Sequence, residues 1–148
     1  MKCYGDTGFL LSLYLPETTT SAANAAMQSV KPPVLLTPLG LLELRVALHL
    51  AVFRKHIAEA QRKAVWQLIE QDLTAGLLMV APVPSVAWHD VAAQLAEKYS
   101  ATIGTRTLDL MHVAAALILD AKLMLSFDAR QRKAAECEGL RLLPAQLA

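Results

Sequence analysis

The chain has 148 residues, enough for one domain that buries a sizeable core without disulfides. Its apolar fraction of 55% exceeds the usual range for soluble domains, so part of the surplus is expected in an interface with another chain. A net charge of +1 excludes a duplex-DNA binder that works through a bulk positive field, and any nucleic-acid contact must be local.

Residues 1–4 read as a short strand, followed by the turn Gly5-Asp6-Thr7 and a helix in which Phe9, Leu10, Leu13 and Tyr14 recur at helical spacing before Pro16. Thr18 to Ser21 offer N-caps for an Ala-rich helix over 22–30, which Pro32 and Pro33 stop. A strand is predicted at 34–37. Thr37-Pro38 then opens a helix that is apolar almost all round through Val52 and belongs in a core or an interface. An amphipathic helix follows over about 57–73, ending near Gly76.

Residues 77–83 form an unbroken apolar run between Gly76 and Pro84, short enough to be a buried strand. Ser85 is expected to cap the next helix, where Trp88, Val91, Ala92, Leu95, Ala96 and Tyr99 make one stripe. Gly104 interrupts, Thr105 or Thr107 is expected to cap, and a second stripe runs from Leu108 through Met111, His112, Ala115 and Ala116 to Leu119. A strand at 123–127, a helix at 128–137, a stop at Gly139 and a strand at 140–143 complete the chain. This alternation predicts an α/β fold with a mainly parallel sheet, and ligands in such sheets gather at the carboxyl ends of the strands.

Cys3 and Cys137 show no paired spacing and are read as reduced thiols. The longest apolar stretch, 34–50, is broken by Thr37, Pro38, Glu43, Arg45 and His49, so no membrane span is expected. Asp6 breaks the N-terminus too early for a targeting peptide, and the expected location is the cytoplasm. Basic clusters at Arg54, Lys55, His56, Arg62 and Lys63, and at Arg130, Arg132 and Lys133, suit phosphates and suit solvated helix faces equally.

Four carboxylates stand out. Asp6 and Asp128 each end a strand and begin a helix, a placement that an ordinary N-cap explains as well as catalysis does. Asp109 lies in the first turn of its helix, where the macrodipole also favours an acid. Glu43 shares the stripe Leu39, Glu43, Val46, Leu50 and, if buried, needs a partner: a cation, or an Arg from elsewhere in the fold. Arg45, two positions on, cannot share its face. Drawn within about 5 Å, such acids repel by roughly 3 kcal/mol per pair at an effective dielectric near 20. A hard divalent cation relieves that repulsion, and magnesium binds through carboxylates, water and substrate phosphate. His112, three residues after Asp109, reads either as a metal ligand or, in preference, as a core histidine bonded to a helix neighbour. The remaining histidines lack zinc-ligand spacing, and the sequence holds no P-loop, no GxGxxG and no nucleophile elbow.

The runs Gly5-Asp6-Thr7-Gly8-Phe9-Leu10-Leu11, Thr37-Pro38-Leu39-Gly40-Leu41-Leu42-Glu43, Arg106-Thr107-Leu108-Asp109-Leu110-Met111-His112-Val113-Ala114-Ala115-Ala116 and Leu125-Ser126-Phe127-Asp128-Ala129-Arg130-Gln131 resemble PIN-domain ribonucleases, and VapC-type toxins of toxin–antitoxin pairs in particular. The resemblance covers essentially the whole chain, 1–148, as a single PIN domain. It implies a three-layer α/β/α sandwich with strand order 3-2-1-4-5. It also implies a metal-dependent endoribonuclease in which Asp6, Glu43, Asp109 and Asp128 hold magnesium or manganese and a metal-activated water cleaves RNA. Thr7, Ser126 and Arg130 are expected to support the acids or steer substrate. A homodimer and a cognate antitoxin laid over the pocket are the implied partners. Two departures from the family pattern are Gly8, where Ser or Asn is usual, and Ser126, where Thr is usual. A catalytically idle PIN-like module that binds RNA or protein is the alternative.

Overall fold

A computed structural model describes residues 1–147 of the chain. Its elements are β1 (Cys3–Gly5), α1 (Thr7–Tyr14), α2 (Thr20–Met27), β2 (Val34–Leu36), α3 (Pro38–Phe53), α4 (Glu59–Thr74), β3 (Leu78–Val80), α5 (Ser85–Ile103), α6 (Thr107–Ile118), β4 (Leu123–Leu125), α7 (Ala129–Cys137) and β5 (Arg141–Leu143). The five strands form one all-parallel sheet of order β3-β2-β1-β4-β5, as expected.

Side chains alternate across this sheet and build a core on each face. Cys3, Val34, Leu36, Leu78, Leu123, Leu125 and Leu143 join α1, α2, α3 and α4 on one side. Tyr4, Leu35, Met124 and Leu142 join α5, α6 and α7 on the other. The result is a three-layer α/β/α sandwich. Gly5 permits the closest approach, because a Cβ there would lie 3.0 Å from Leu10 and 3.1 Å from Val34.

Several details differ from the sequence expectation. The apolar run at 77–83 yields only three strand residues, and since β3 lies at the sheet edge, Met79 is half-exposed rather than buried. Pro84, not Ser85, is the N-cap of α5 and offers no side-chain acceptor. Neither threonine caps α6: Arg106 occupies the N-cap, and its backbone N–H donates to Asp109 Oδ2 at 2.8 Å. Gly104 ends α5 in the left-handed region at φ 81°, as its position predicts. Helix α3 buries Gly40, Leu44 and Leu48, while Leu42, Val46, Leu50 and Phe53 face outward. Among the described residues no helix is long and apolar enough to cross a membrane.

Candidate active site

Strand order reverses at β1, which has β2 on one side and β4 on the other, and such a switch point opens a crevice at the strands' carboxyl ends. A cavity of about 270 Å³ lies there. It is lined by Asp6, Thr7, Gly8, Glu43, Leu108, Asp109, His112, Phe127, Asp128 and Gln131. All four acids singled out in the sequence therefore meet at one place, and among the described residues neither lysine nor arginine lines it.

Asp6 is the N-cap of α1, and its Oδ1 accepts from the Phe9 amide at 2.7 Å. Its Oδ2 accepts from the side-chain amide of Gln131 at 2.5 Å, a contact across 125 positions that the sequence reading missed. Burial is the dominant influence and raises the Asp6 pKa above the ordinary aspartate value, although Ser126, Phe9, His112 and Gln131 all favour the ionised form. Asp128 caps α7 through Oδ1, which accepts from the Gln131 backbone at 2.9 Å. Ser126 lies fully buried behind both acids. Its Oγ accepts from the Asp128 amide and from Gln131 Nε2, each at 3.1 Å.

Glu43 stands half-buried, one turn into α3, and its partners are neither an arginine nor a residue of its own helix. Oε1 accepts from the Thr7 hydroxyl at 2.8 Å and meets His112 Nε2 at 2.7 Å. Burial raises its pKa, but His112 and Thr7 outweigh burial, and the net shift is downward. His112 is buried, as preferred, yet its partners come from across the fold and not from a helix neighbour: Tyr4 Oη lies 2.7 Å from Nδ1. Thr7 thus bonds directly to an acid, and Ser126 acts at one remove, through the Asp128 backbone and through the Gln131 amide that meets Asp6. Arg130 does not line the cavity; its guanidinium reaches the Gly104 carbonyl at 3.5 Å, and among the described residues it forms no ion pair with an acid. Arg132, in the same basic cluster, anchors the loop after β4 by donating to the Ser126 and Pro144 carbonyls.

The donors suit a hard divalent cation, since the acids offer oxygen alone. Among the hydrogen bonds of the described residues, Glu43 Oε2, Asp109 Oδ1 and Asp128 Oδ2 are unengaged, while both Asp6 oxygens are held. Also among the described residues, no three His, Cys, Asp or Glu side chains are clustered tightly enough to hold an ion as they stand. The cavity supplies ligands of the right kind rather than a closed cage.

The PIN domain family matches residues 3–136. The chain belongs to the PIN domain family. No curated protein matches it significantly. Among solved structures, a chain of FitAcB from Neisseria gonorrhoeae shares 18% identity at a TM-score of 0.72, covering 97% of each chain. A chain of a toxin–antitoxin complex from Klebsiella pneumoniae shares 13% identity at a TM-score of 0.64, covering 99% of this chain and 100% of that one. At such identities the likeness establishes the PIN fold alone. PIN domains are generally nucleases, typically with divalent metals, and the four acids of this one sit at the switch point of its sheet.

Proposed function

We propose that this single PIN domain is a metal-dependent endoribonuclease and acts as a VapC-type toxin restrained by a cognate antitoxin. The observation that carries the reading is the meeting of Asp6, Glu43, Asp109 and Asp128, from four remote segments, in one cavity that, among the described residues, neither lysine nor arginine lines. Asp6, Asp109, Glu43 and Asp128 are the residues to hold magnesium or manganese. When bound, such an ion lowers the pKa of water and offsets charge on phosphoryl oxygens.

The chain's own contribution is to place and brace the acids. Phe9 and Gln131 fix Asp6, the Arg106 backbone fixes Asp109, and the Gln131 backbone fixes Asp128. Leu108 and Phe127 give the cavity an apolar rim, with Phe127 stacked on Phe9 at a centroid distance of 5.3 Å. Arg106, exposed at the N-cap of α6 three residues before Asp109, joins Arg130 as a candidate to meet a phosphate.

An antitoxin partner is supported by the outward stripe of α3, where Leu42, Val46, Leu50 and Phe53 are exposed along the helix that carries Glu43. A groove of about 430 Å³ lined in part by Leu11, Leu15, Leu50, Ala51 and Ile57 continues that surface. The Klebsiella toxin–antitoxin complex is the similar structure that supports this assignment. A homodimer in the cytoplasm completes the proposal, and the apolar surplus of the chain is its support.

The alternative is an idle PIN module, favoured by Gly8, which provides no side chain beside Asp6. Incubation of labelled single-stranded RNA with the protein decides between them, with magnesium or manganese, with chelator, and with Asp6→Asn, alongside single-stranded DNA. Cleavage of RNA that needs the metal and is lost in the variant is the expected result. Metal binding with intact RNA would favour the idle module, and cleavage unaffected by chelator would overturn the metal assignment.

A further inference from the structure

His112 and Tyr4 belong to no part of the mechanism above, yet both are almost wholly buried and linked to an acid. The sense of every bond between them follows from the two ends of the chain they form. At one end Tyr4 is wholly buried, and among the described residues its hydroxyl has one hydrogen-bond partner, His112 Nδ1 at 2.7 Å. At the other end Glu43, an ionised carboxylate, can only accept. A buried hydroxyl hydrogen left without an acceptor is costly, so the Tyr4 hydrogen goes to His112 Nδ1. Burial raises the Tyr4 pKa far beyond the working range, so its O–H stays available to donate. Nδ1 must then be the acceptor nitrogen, which puts the ring proton on Nε2, 2.7 Å from Glu43 Oε1.

We propose that His112 is a positioning residue: as the Nε2–H tautomer it links Tyr4 to Glu43 in a one-way hydrogen-bond chain, and it pins Glu43 Oε1. Thr7 donates to the same oxygen at 2.8 Å, so both donors hold one carboxylate atom and leave Oε2 for the cation. Bonds aligned in one sense polarise one another, and the ordering of a carboxylate before it binds metal is what outer partners supply. The inference rests on the proposed function only in giving Glu43 a metal to bind.

Two measurements on the full-length protein test it. Nitrogen-15 spectra of the histidine rings, without metal at neutral pH, should show His112 with a protonated Nε2 and a bare Nδ1. A protonated Nδ1, alone or in an imidazolium, overturns the assignment. Calorimetric titration with manganese should then show affinity about tenfold or more weaker in His112→Leu. His112→Gln, whose amide nitrogen can stand near the place of Nε2, should recover most of that loss, and Tyr4→Phe should lose less than His112→Leu. Equal affinities in the Leu and Gln variants would contradict a donor role, and His112→Gln with Tyr4→Phe keeps the test open if the leucine variant fails to fold. If the wild-type protein binds no manganese while the tautomer is as assigned, the proposed function fails and the hydrogen-bond assignment stands.

Discussion

Asp6 and Glu43 line the same cavity but are stabilised by opposite means. Asp6, at the joint of β1 and α1, is buried and its two oxygens are met by neutral donors, the Phe9 backbone amide and the Gln131 side-chain amide. These do not offset the loss of water, and its pKa stays raised. Glu43, on α3, is half-buried and is met by an imidazole and a threonine, which more than compensate for burial and lower its pKa. Four acids around one cavity are therefore not equivalent. The Asp6 side carries the unrelieved cost of burying a charge and gains most from a cation, whereas the Glu43 side is arranged in advance by its own hydrogen bonds.

The largest effect should come from Asp6→Asn. RNA cleavage is expected to fall on the order of 10³-fold or more, given that metal-derived charge stabilisation amounts to several kcal/mol. Stability should move the other way. A carboxyl whose folded pKa is raised holds its proton when the unfolded chain has lost it, so the folded state is favoured at low pH and loses stability as pH climbs through the folded pKa. In chelator, thermal melts should show Asp6→Asn at least as stable as wild type at neutral pH. The variant's advantage should disappear below the ordinary carboxylate range. A variant clearly less stable at pH 7 would mean that Asp6 is a structural cap and not a strained ligand.

Next in size is Gln131→Leu, which removes a buried donor shared by Asp6 and Ser126. Leaving buried acceptors short of a partner costs about 1–3 kcal/mol, to be read from denaturant melts. Cleavage should drop with it, and an unchanged midpoint would show that the amide contact carries no weight. On the Glu43 side, Thr7→Val leaves His112 in place, so a loss of roughly 0.5–1.5 kcal/mol in manganese affinity is expected. A collapse of affinity would make the hydroxyl, not the imidazole, the main support of Glu43.

Gly8→Ser should do least. A Cβ at this position meets only Asp6 Oδ1, at 3.8 Å, so the side chain fits and stability should change by no more than about 0.5 kcal/mol. A hydroxyl there adds a donor on the Asp6 side, and manganese affinity should hold or rise slightly. A marked fall in either quantity would show that the bare glycine is required.

The same contrast explains what could be read from residues alone. Asp6 and Asp128 are legible because a strand, an acid and a helix follow one another in sequence, and the N-cap geometry is local. The alternation of strands and helices likewise points to a parallel α/β sandwich, and the resemblance supplies its strand order. Gln131 and the Tyr4–His112–Glu43 link were not legible, since their partners lie 125, 108 and 69 positions away and only the packed sheet brings them together. Glu43 was expected to need a cation or an Arg, and the protein partners it has are His112 and Thr7; the stripe assigned to it is the outward one, with Val46 and Leu50 exposed, so the helix is rotated from the expected orientation. Arg130 follows Asp128 closely in sequence, yet at the start of α7 its side chain bonds the Gly104 carbonyl and does not line the cavity. Spacing placed the elements well and said little about side chains that meet across the fold.

The account depends on both sides of the cavity sharing one ion. Manganese titration of the metal-free wild type beside Asp6→Asn, Glu43→Gln, Asp109→Asn and Asp128→Asn tests this directly. Weakened binding in all four variants, with folding retained, is the predicted result. Wild-type affinity persisting in both Asp6→Asn and Asp128→Asn, or in both Glu43→Gln and Asp109→Asn, would contradict it.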